Sequence, residues 1–215
     1  MNNDITYALG FAERHRAAAA ALYEQAFGAK FALAIPKRDQ RIALLTACLM
    51  PDFAFAAVAN NELVGLAGFH TPHGSLTSGV TMHSLRAQLG LFRGLWAAGV
   101  FSLFERSPEP GELVMDGIAV RDDMRGHGIG GQLLDLLAHY AQAQGYTQMR
   151  LDVIETNPGA RRLYERKGFQ PVETQHFPYL KWLIGFGAAT RMTLRVTPAA
   201  QAGTQEAVSG HTASI

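Results

Sequence analysis

The chain has 215 residues, of which 48% are hydrophobic, and this is enough to bury one substantial core. Its 19 basic and 18 acidic residues leave a formal net charge of +1, which excludes the strong positive field of a nucleic-acid-binding protein. The single cysteine excludes an internal disulfide framework.

The first third of the chain predicts an alternation of helices and strands. We expect a strand over residues 5–11, a helix over 12–27, and a second helix over 36–50 with Pro36 in its first turn. Strand-like runs at 53–58 and 63–69 follow, separated by a turn that contains Asn60 and Asn61. Asparagine tolerates the left-handed backbone of a tight turn, so these runs predict a β-hairpin.

Residues 71–111 separate this hairpin from the next strand. We expect them to form an apolar helical insertion, because residues 85–104 carry apolar side chains at helical spacing: Leu85, Leu89, Phe92, Trp96, Val100 and Leu103. A second apolar segment, 177–187, precedes the final strand. One hypothesis is that the two segments form a lid over an apolar pocket. The alternative is that the insertion enlarges the core or forms the interface of a homodimer.

The second half predicts a strand over 113–120, an amphipathic helix ended by Gly145, a strand over 149–154, a helix from Asn157 and a strand over 192–196. We expect one domain over 1–196 and a disordered tail over 197–215, where composition is biased and periodicity is lost. The first four residues are polar and no signal-type apolar segment follows them, so we expect a cytoplasmic chain. No segment reaches the roughly 20 apolar residues that cross a bilayer.

The most informative segment runs from Val120 to Gly131, where a strand enters a glycine-rich, basic turn that opens into a helix. Glycines and the free N–H groups of a first helical turn suit a phosphate, and Arg125 adds a positive charge. The glycines also satisfy the dinucleotide pattern G-x-G-x-x-G, but residues 121–125 separate them from the strand. The register Arg125-x-x-Gly128-x-Gly130 fits better.

This register resembles the acyl-coenzyme A binding motif of the GNAT N-acetyltransferase superfamily. Further along, Asn157 to Phe169 resemble that family's N-x-x-A-x-x-L-Y-x-x-x-G-F segment. The two segments stand in the family's order, and the resemblance is specific over residues 113–169. It implies an α/β fold with a mixed, mostly antiparallel central sheet flanked by helices. The helical insertion before the motif strand, residues 71–111, departs from the family pattern.

The resemblance implies an enzyme that transfers an acetyl group from acetyl-CoA to a primary amine by direct attack in a ternary complex. It implies that Tyr164 protonates the departing thiolate, and it implies no metal. The histidines His70, His73 and His83 suit no strong metal template. The residues implied to bind the coenzyme are Ile118, Val120, Arg125, Gly126, Gly128, Ile129, Gly130, Gly131, Asn157, Ala160 and Tyr164.

Asp116 is the candidate catalytic base. An aspartate inside an apolar strand must be hydrogen-bonded, paired or functional, because burial of an unpaired carboxylate is costly. Its offset from Val120 matches the base of some family members, and a structural hydrogen bond is the alternative. Glu155 is the reserve base. Gly117 predicts a bulge that splays two strands and opens a slot for the pantetheine arm of the coenzyme.

Two further alternatives remain open. Asn157 before Pro158 has the pattern of a helix N-cap, which is compatible with coenzyme binding and also explains the asparagine without it. The rival function is an acyl-CoA-binding or sensing module without transfer activity that uses the apolar insertion as an interaction surface. The acceptor is open among amines, amino acids, aminoglycosides and protein N-termini.

Overall fold

The computed structural model describes residues 4–102, 107–177 and 185–198. The helices of this part are α1 (Arg16–Ala32), α2 (Arg38–Cys48), α3 (Met82–Leu89), α4 (Leu91–Ser102), α5 (Ile129–Ala143) and α6 (Pro158–Arg166). Its strands are β1 (Ile5–Leu9), β2 (Ala54–Ala59), β3 (Glu62–Thr71), β4 (Gly74–Ser75), β5 (Glu112–Val120), β6 (Gln148–Ile154), β7 (Gln170–His176) and β8 (Ala188–Arg195). Short 3₁₀ turns precede α1 and β2 and follow β5.

The strands of the described part form one sheet in the order β1-β2-β3-β5-β6-β8-β7, and β4 pairs with β3. Neighbouring strands are antiparallel except β5 and β6, which run parallel. The expected mixed, mostly antiparallel sheet flanked by helices is therefore confirmed. The hairpin β2–β3 is also confirmed, and its turn holds Asn60 at φ +50° and Asn61 at φ +64°.

Helices cover both faces of the sheet. On one face, α5 and α6 contribute Leu133 and Tyr164 to the largest apolar cluster, which includes residues of β2, β3, β5, β6 and β8. On the other face, α1 contributes Tyr23 to a cluster with β2, β3 and β5. The insertion packs beside α2, because Leu85 and Val100 share a third cluster with Leu44 and Cys48.

The insertion is helical, as expected, but it forms two helices instead of one over 85–104. Gly90 has φ +78° and ends α3, and the chain then turns back as α4. Gly94 faces the backbone of α3, where a Cβ would lie 3.0 Å from the Arg86 nitrogen. The predicted stripe is therefore not one face: Leu85 and Val100 are buried, whereas Phe92 and Trp96 are exposed. Leu103 and residues 178–184 of the lid hypothesis lie outside the described residues.

Three smaller expectations differ from the structure. Strand β7 was not predicted, because its side chains are mostly exposed at the sheet edge and lack an apolar alternation. Pro36 precedes α2, whose N-cap is Lys37, and so does not lie in the first turn. The last strand begins at Ala188 and not at residue 192. Residues 199–215 of the predicted disordered tail lie outside the described residues.

A buried ion pair joins α1 to α2. Arg41 donates to Glu24 Oε1 from Nη2 at 2.6 Å and from Nε at 2.9 Å, and the two residues are only 9% and 4% exposed. Arg38 donates to the other carboxylate oxygen at 2.8 Å. Arg41 Nη1 also donates to the carbonyls of Ile35 and Pro36, so one side chain fixes both helices and the connection between them.

We expect Arg41→Met to lower the free energy of unfolding by about 3–5 kcal/mol, because it leaves the buried Glu24 carboxylate without its main partner. The control is Arg161→Met, which removes an exposed pair with Glu165 and should cost about 0–1 kcal/mol. Urea unfolding measures both. Equal losses of unfolding free energy in the two variants would contradict the expectation that burial makes the Glu24–Arg41 pair the more important one.

Candidate active site

A gap opens between β5 and β6. The two strands pair only through Glu112, Leu113 and Val114 of β5, opposite residues 148–150. Beyond that point, within the described residues, β5 continues along β3 and β6 continues along β8. The edge of β5 that faces β6 from Met115 to Val120 is thus free of strand partners on that side. This gap has the position of the predicted slot.

A bulge in β5 lies where the gap begins. Gly117 is opposite Gly68 and Met115 is opposite Phe69, so Asp116 is the extra residue of the strand. Gly117 has φ +148°, and a Cβ there would overlap the ring of Phe27 from α1. The position therefore requires glycine on two grounds, and the predicted bulge is confirmed.

The bulge turns the Asp116 carboxylate toward α1. Its Oδ2 lies 3.5 Å from where a Cβ on Gly68 would be placed, beside Leu76. Burial raises the pKa of Tyr23 well above its ordinary value, and the negative charge of Asp116 raises it further. Tyr23 could not be predicted as a neighbour of Asp116 from the sequence, because nothing in its alanine-rich helix indicates which strand the helix packs against.

The glycine-rich loop leads from β5 into α5. Gly126 and Gly128 have φ +82° and +78°, and a Cβ on either would meet nothing within 4 Å. These glycines are therefore required by backbone conformation and not by a close neighbour in the chain. Gly128 is the N-cap of α5 without a side-chain hydrogen bond, and the first turn contains no acidic residue. The first N–H groups of α5 are consequently available to an anion.

The two arginines of this loop have different surroundings. Arg121 is held at 2.7 Å by Asp123 and by Glu62, so its guanidinium is engaged on two sides. Arg125 is largely exposed and has one ion pair, to Asp122 at 2.7 Å. Arg125 is thus the more available cation beside the start of α5.

The start of α6 confirms the helix cap that the Asn157-Pro158 pattern predicts. The Ala160 N–H donates to Asn157 Oδ1 at 3.1 Å, and Pro158 occupies the first helical position. Tyr164 lies one further turn along α6 and is buried against Phe169, with ring centroids 6.0 Å apart. Burial raises the pKa of Tyr164 to about 12. Its hydroxyl therefore stays protonated at neutral pH.

The two sequence motifs meet at Gly130. A Cβ on this glycine would lie 3.5 Å from Leu163 of α6 and 3.8 Å from both Ile118 and Val120 of β5. The motif strand, the first turn of α5 and the motif helix thus all come within van der Waals distance of this position. Gly131 is next to this point, and a Cβ there would lie 3.4 Å from the Lys167 side chain. Lys167 pairs with Asp135 at 2.5 Å and was not found from the sequence.

The reserve base Glu155 makes a structural hydrogen bond. Its Oε1 accepts a hydrogen bond from the Gly187 N–H at 3.0 Å and so ties the end of β6 to the chain before β8. Three charged residues form a row across β6, β8 and β7. Arg191 of β8 lies 3.8 Å from Asp152 of β6 and 3.6 Å from Glu173 of β7. By strand register they share the sheet face of Asp116. The sequence contained no signal for this row, because strand partners are distant in the chain.

Two other kinds of site are absent from the described residues. No group of three or more histidine, cysteine, aspartate or glutamate side chains in this part of the chain is arranged to hold a metal ion. No described helix is both long enough and apolar enough to span a membrane.

The sequence model of the Acetyltransferase (GNAT) family matches residues 21–169, which is more than half of the chain. The chain therefore belongs to the GNAT family of acetyltransferases, and the enzyme class implied by its two motifs is confirmed. Enzymes of this family use acetyl-CoA. A sequence relative is the uncharacterized N-acetyltransferase YobR of Bacillus subtilis (strain 168), 33% identical over 63 residues. That alignment covers 29% of this chain and 26% of YobR, so the chain matches about a quarter of the relative's length.

Solved structures share the fold. The ribosomal-protein-S18-alanine N-acetyltransferase of Escherichia coli superposes with a TM-score of 0.56 at 18% identity, over 92% of this chain and 97% of the other. The protein yncA of Salmonella typhimurium, solved with its cofactor acetyl-CoA, has a TM-score of 0.57 at 18% identity over the same shares. At these identities the likeness concerns the fold alone.

The raised pKa of Tyr164 predicts a specific loss of stability in alkali. Between pH 10 and about 12 the folded protein keeps this proton while the unfolded chain loses it, so the free energy of unfolding falls as pH rises. One such group contributes a slope of about 1.4 kcal/mol per pH unit in that window. Tyr164→Phe should remove this part of the slope, measured by urea unfolding across the window. Parallel curves for the wild type and the variant would contradict the burial of this hydroxyl.

Proposed function

We propose that this chain transfers an acetyl group from acetyl-CoA to a primary amine by direct attack in a ternary complex. The observation that carries the proposal is the meeting of β5, the first turn of α5 and α6 at Gly130, beside the gap between β5 and β6. A thioester needs such an arrangement, because its carbonyl must be held in line with the amine while the leaving thiolate is neutralised.

The described residues fit the coenzyme. The pantetheine arm would lie in the gap along Ile118 and Val120, where β5 offers backbone N–H and C=O groups without a strand partner. The pyrophosphate would lie at the start of α5, with Arg125 as its counter-charge. The remaining residues of this proposed site are Gly126, Gly128, Ile129, Gly130, Gly131, Asn157, Ala160 and Tyr164. The side-chain oxygen of Asn157, Oδ1, caps α6, so the side-chain N–H₂ group is the one that would reach the coenzyme.

The proposed acid and base stand on opposite sides of the gap. Tyr164 belongs to the cluster beneath α5 and α6, whereas Asp116 faces α1 and Tyr23. In the reaction the amine nitrogen forms a bond to the acetyl carbon and the carbon–sulfur bond breaks. Asp116 accepts a proton from the amine, and Tyr164 donates one to the departing sulfur. The acceptor would thus approach from the α1 side. Cys48 is buried in the third cluster, in keeping with a mechanism that uses no covalent enzyme intermediate.

The acceptor is proposed only as an amine. The Escherichia coli neighbour is a ribosomal-protein-S18-alanine N-acetyltransferase, and a peptide amine is one candidate acceptor for this chain too. The row formed by Asp152, Arg191 and Glu173 lies on the same side of the sheet as Asp116, which supports a role for it in contacting the acceptor. A cytoplasmic location, a homodimer through the insertion and a single domain over 1–196 remain predictions.

We expect Tyr164→Phe and Asp116→Asn each to lower kcat by about 10²–10⁴ while the affinity for acetyl-CoA stays near that of the wild type, because each removes a proton-transfer group. The measurement combines steady-state kinetics on a panel of amines with calorimetric titration of acetyl-CoA. Tyr146→Phe and Asp39→Asn are the matched controls and should leave kcat unchanged.

The outcomes separate the two functional hypotheses. Turnover that falls in the two site variants and not in the controls supports acetyl transfer. Binding of acetyl-CoA without turnover of any amine would instead favour the acyl-CoA-binding or sensing module. If Asp116→Asn keeps full activity, the base lies elsewhere and Asp116 has a structural role in the bulge.

A further prediction compares the two loop arginines. Arg125→Ala should weaken acetyl-CoA binding by about 10- to 100-fold, because it removes one charge-assisted hydrogen bond worth about 1.5–3 kcal/mol. Arg121→Ala should have little effect, since Asp123 and Glu62 already engage that side chain. The thermal shift at saturating acetyl-CoA measures both. Equal losses would contradict the placement of the pyrophosphate beside Arg125.

A further inference from the structure

Apart from Arg93 and Ser102, every residue of helix α4 is apolar or glycine, which is unusual for a helix at a protein surface. Its inner side is formed by Gly94, Ala97 and Val100, which pack on α3 and on the third apolar cluster. Its outer side carries Leu91, Phe92, Leu95 and Trp96, which are 54%, 86%, 60% and 59% exposed. Only the inner side is therefore covered.

The exposed apolar side chains are concentrated here. Among the described residues, five of the eight large hydrophobic side chains that are exposed belong to the α3–α4 hairpin, the fifth being Met82. Phe92, Leu95 and Trp96 also line a shallow groove of about 470 Å³ together with Gly99 and Val100. Scattered exposed apolar residues need no explanation, but a contiguous group of this size marks an interaction surface.

The charged residues of α3 and α4, Arg86 and Arg93, are both positive. The sequence contains no aspartate or glutamate between Glu62 and Glu105, although 18 of the 215 residues are acidic. Arg86 of α3 and Arg93 of α4 are both exposed, and neither forms an ion pair in the part of the chain that the structure describes. Within the described residues, the surface therefore offers large apolar side chains together with two arginines that form no ion pair.

This combination points away from a second copy of the chain. A symmetric dimer through α4 would bring Arg86 and Arg93 close to their own copies, and the stretch from 63 to 104 supplies no acidic residue to neutralise them. An anionic phospholipid surface satisfies both features at once. Leucine, phenylalanine and tryptophan enter the boundary between headgroups and acyl chains, and arginine binds the phosphates.

We propose that the α3–α4 hairpin is an interfacial membrane-binding element that selects anionic phospholipids. Gly94 lets α4 pack closely on α3, and the two helices pack together on α2. The outer side of α4 is therefore accessible to a membrane without a change of fold. The inference is independent of the proposed acetyl transfer, because none of its residues belongs to the proposed coenzyme site.

The test uses the full-length protein and sedimentation with phosphatidylcholine vesicles that contain either no phosphatidylglycerol or about 30% of it. We expect binding to the anionic vesicles and little binding to the neutral ones. The double variant Phe92→Ser/Trp96→Ser should bind at least about 10-fold more weakly, because it removes two aromatic side chains that would enter the lipid interface. Arg86→Gln and Arg93→Gln should each weaken binding by about fivefold. The matched controls are Val172→Ser on exposed β7 and Arg195→Gln on β8, which should bind as the wild type does.

Three results would overturn the proposal. One is absence of sedimentation with vesicles of either composition. Another is sedimentation that the α4 variants do not reduce, or that neutral vesicles support equally. The third is a dimer in sedimentation velocity that Phe92→Ser/Trp96→Ser dissociates in the absence of lipid, which would assign the surface to a second copy. The circular dichroism spectrum and melting temperature of each variant show whether it is folded, so loss of vesicle binding is distinguishable from loss of the fold and from failure of the proposed coenzyme site.

Discussion

The early end of the pairing between β5 and β6 is the constraint on which the site depends. At the closed end, the buried residues Glu112 and Arg150 form an ion pair of 3.2 Å, and Gln148 donates to the same carboxylate at 3.2 Å. At the open end, the bulge at Asp116 shifts β5 while β6 stays paired to β8. An aligned, fully paired sheet would leave neither a free strand edge nor a space between the strands.

That gap also separates two electrostatic environments. On the side of α5 and α6, an uncapped helix start and Arg125 favour negative charge, and burial keeps the Tyr164 hydroxyl protonated. On the side of α1, Asp116 and the row of Asp152, Arg191 and Glu173 stand in a partly exposed region. In the proposed reaction the sheet would hold the anionic coenzyme and the amine acceptor on different sides, and the two would meet through the gap.

The insertion is joined to this site through α2. The Glu24–Arg41 pair fixes α2 to α1, α1 packs on the bulge through Phe27 and Tyr23, and α3 and α4 pack on the other side of α2. The outer side of α4 takes no part in this packing. A surface that the fold does not need for its own core can serve binding, which is why the exposed aromatics of α4 are best explained by a partner outside the chain.

The sequence by itself determined the features that depend on near neighbours: the hairpin turn at Asn60 and Asn61, the cap at Asn157, the glycine conformations at 126 and 128, and the two family motifs. These are local because backbone dihedrals and helix caps are set within a few residues. Only the tertiary structure decided that Asp116 faces Tyr23, that Glu155 binds Gly187, and that Phe92 and Trp96 point outward. Those outcomes depend on which strand or helix lies opposite, and such partners are far apart in the chain, as with Tyr23 and Asp116.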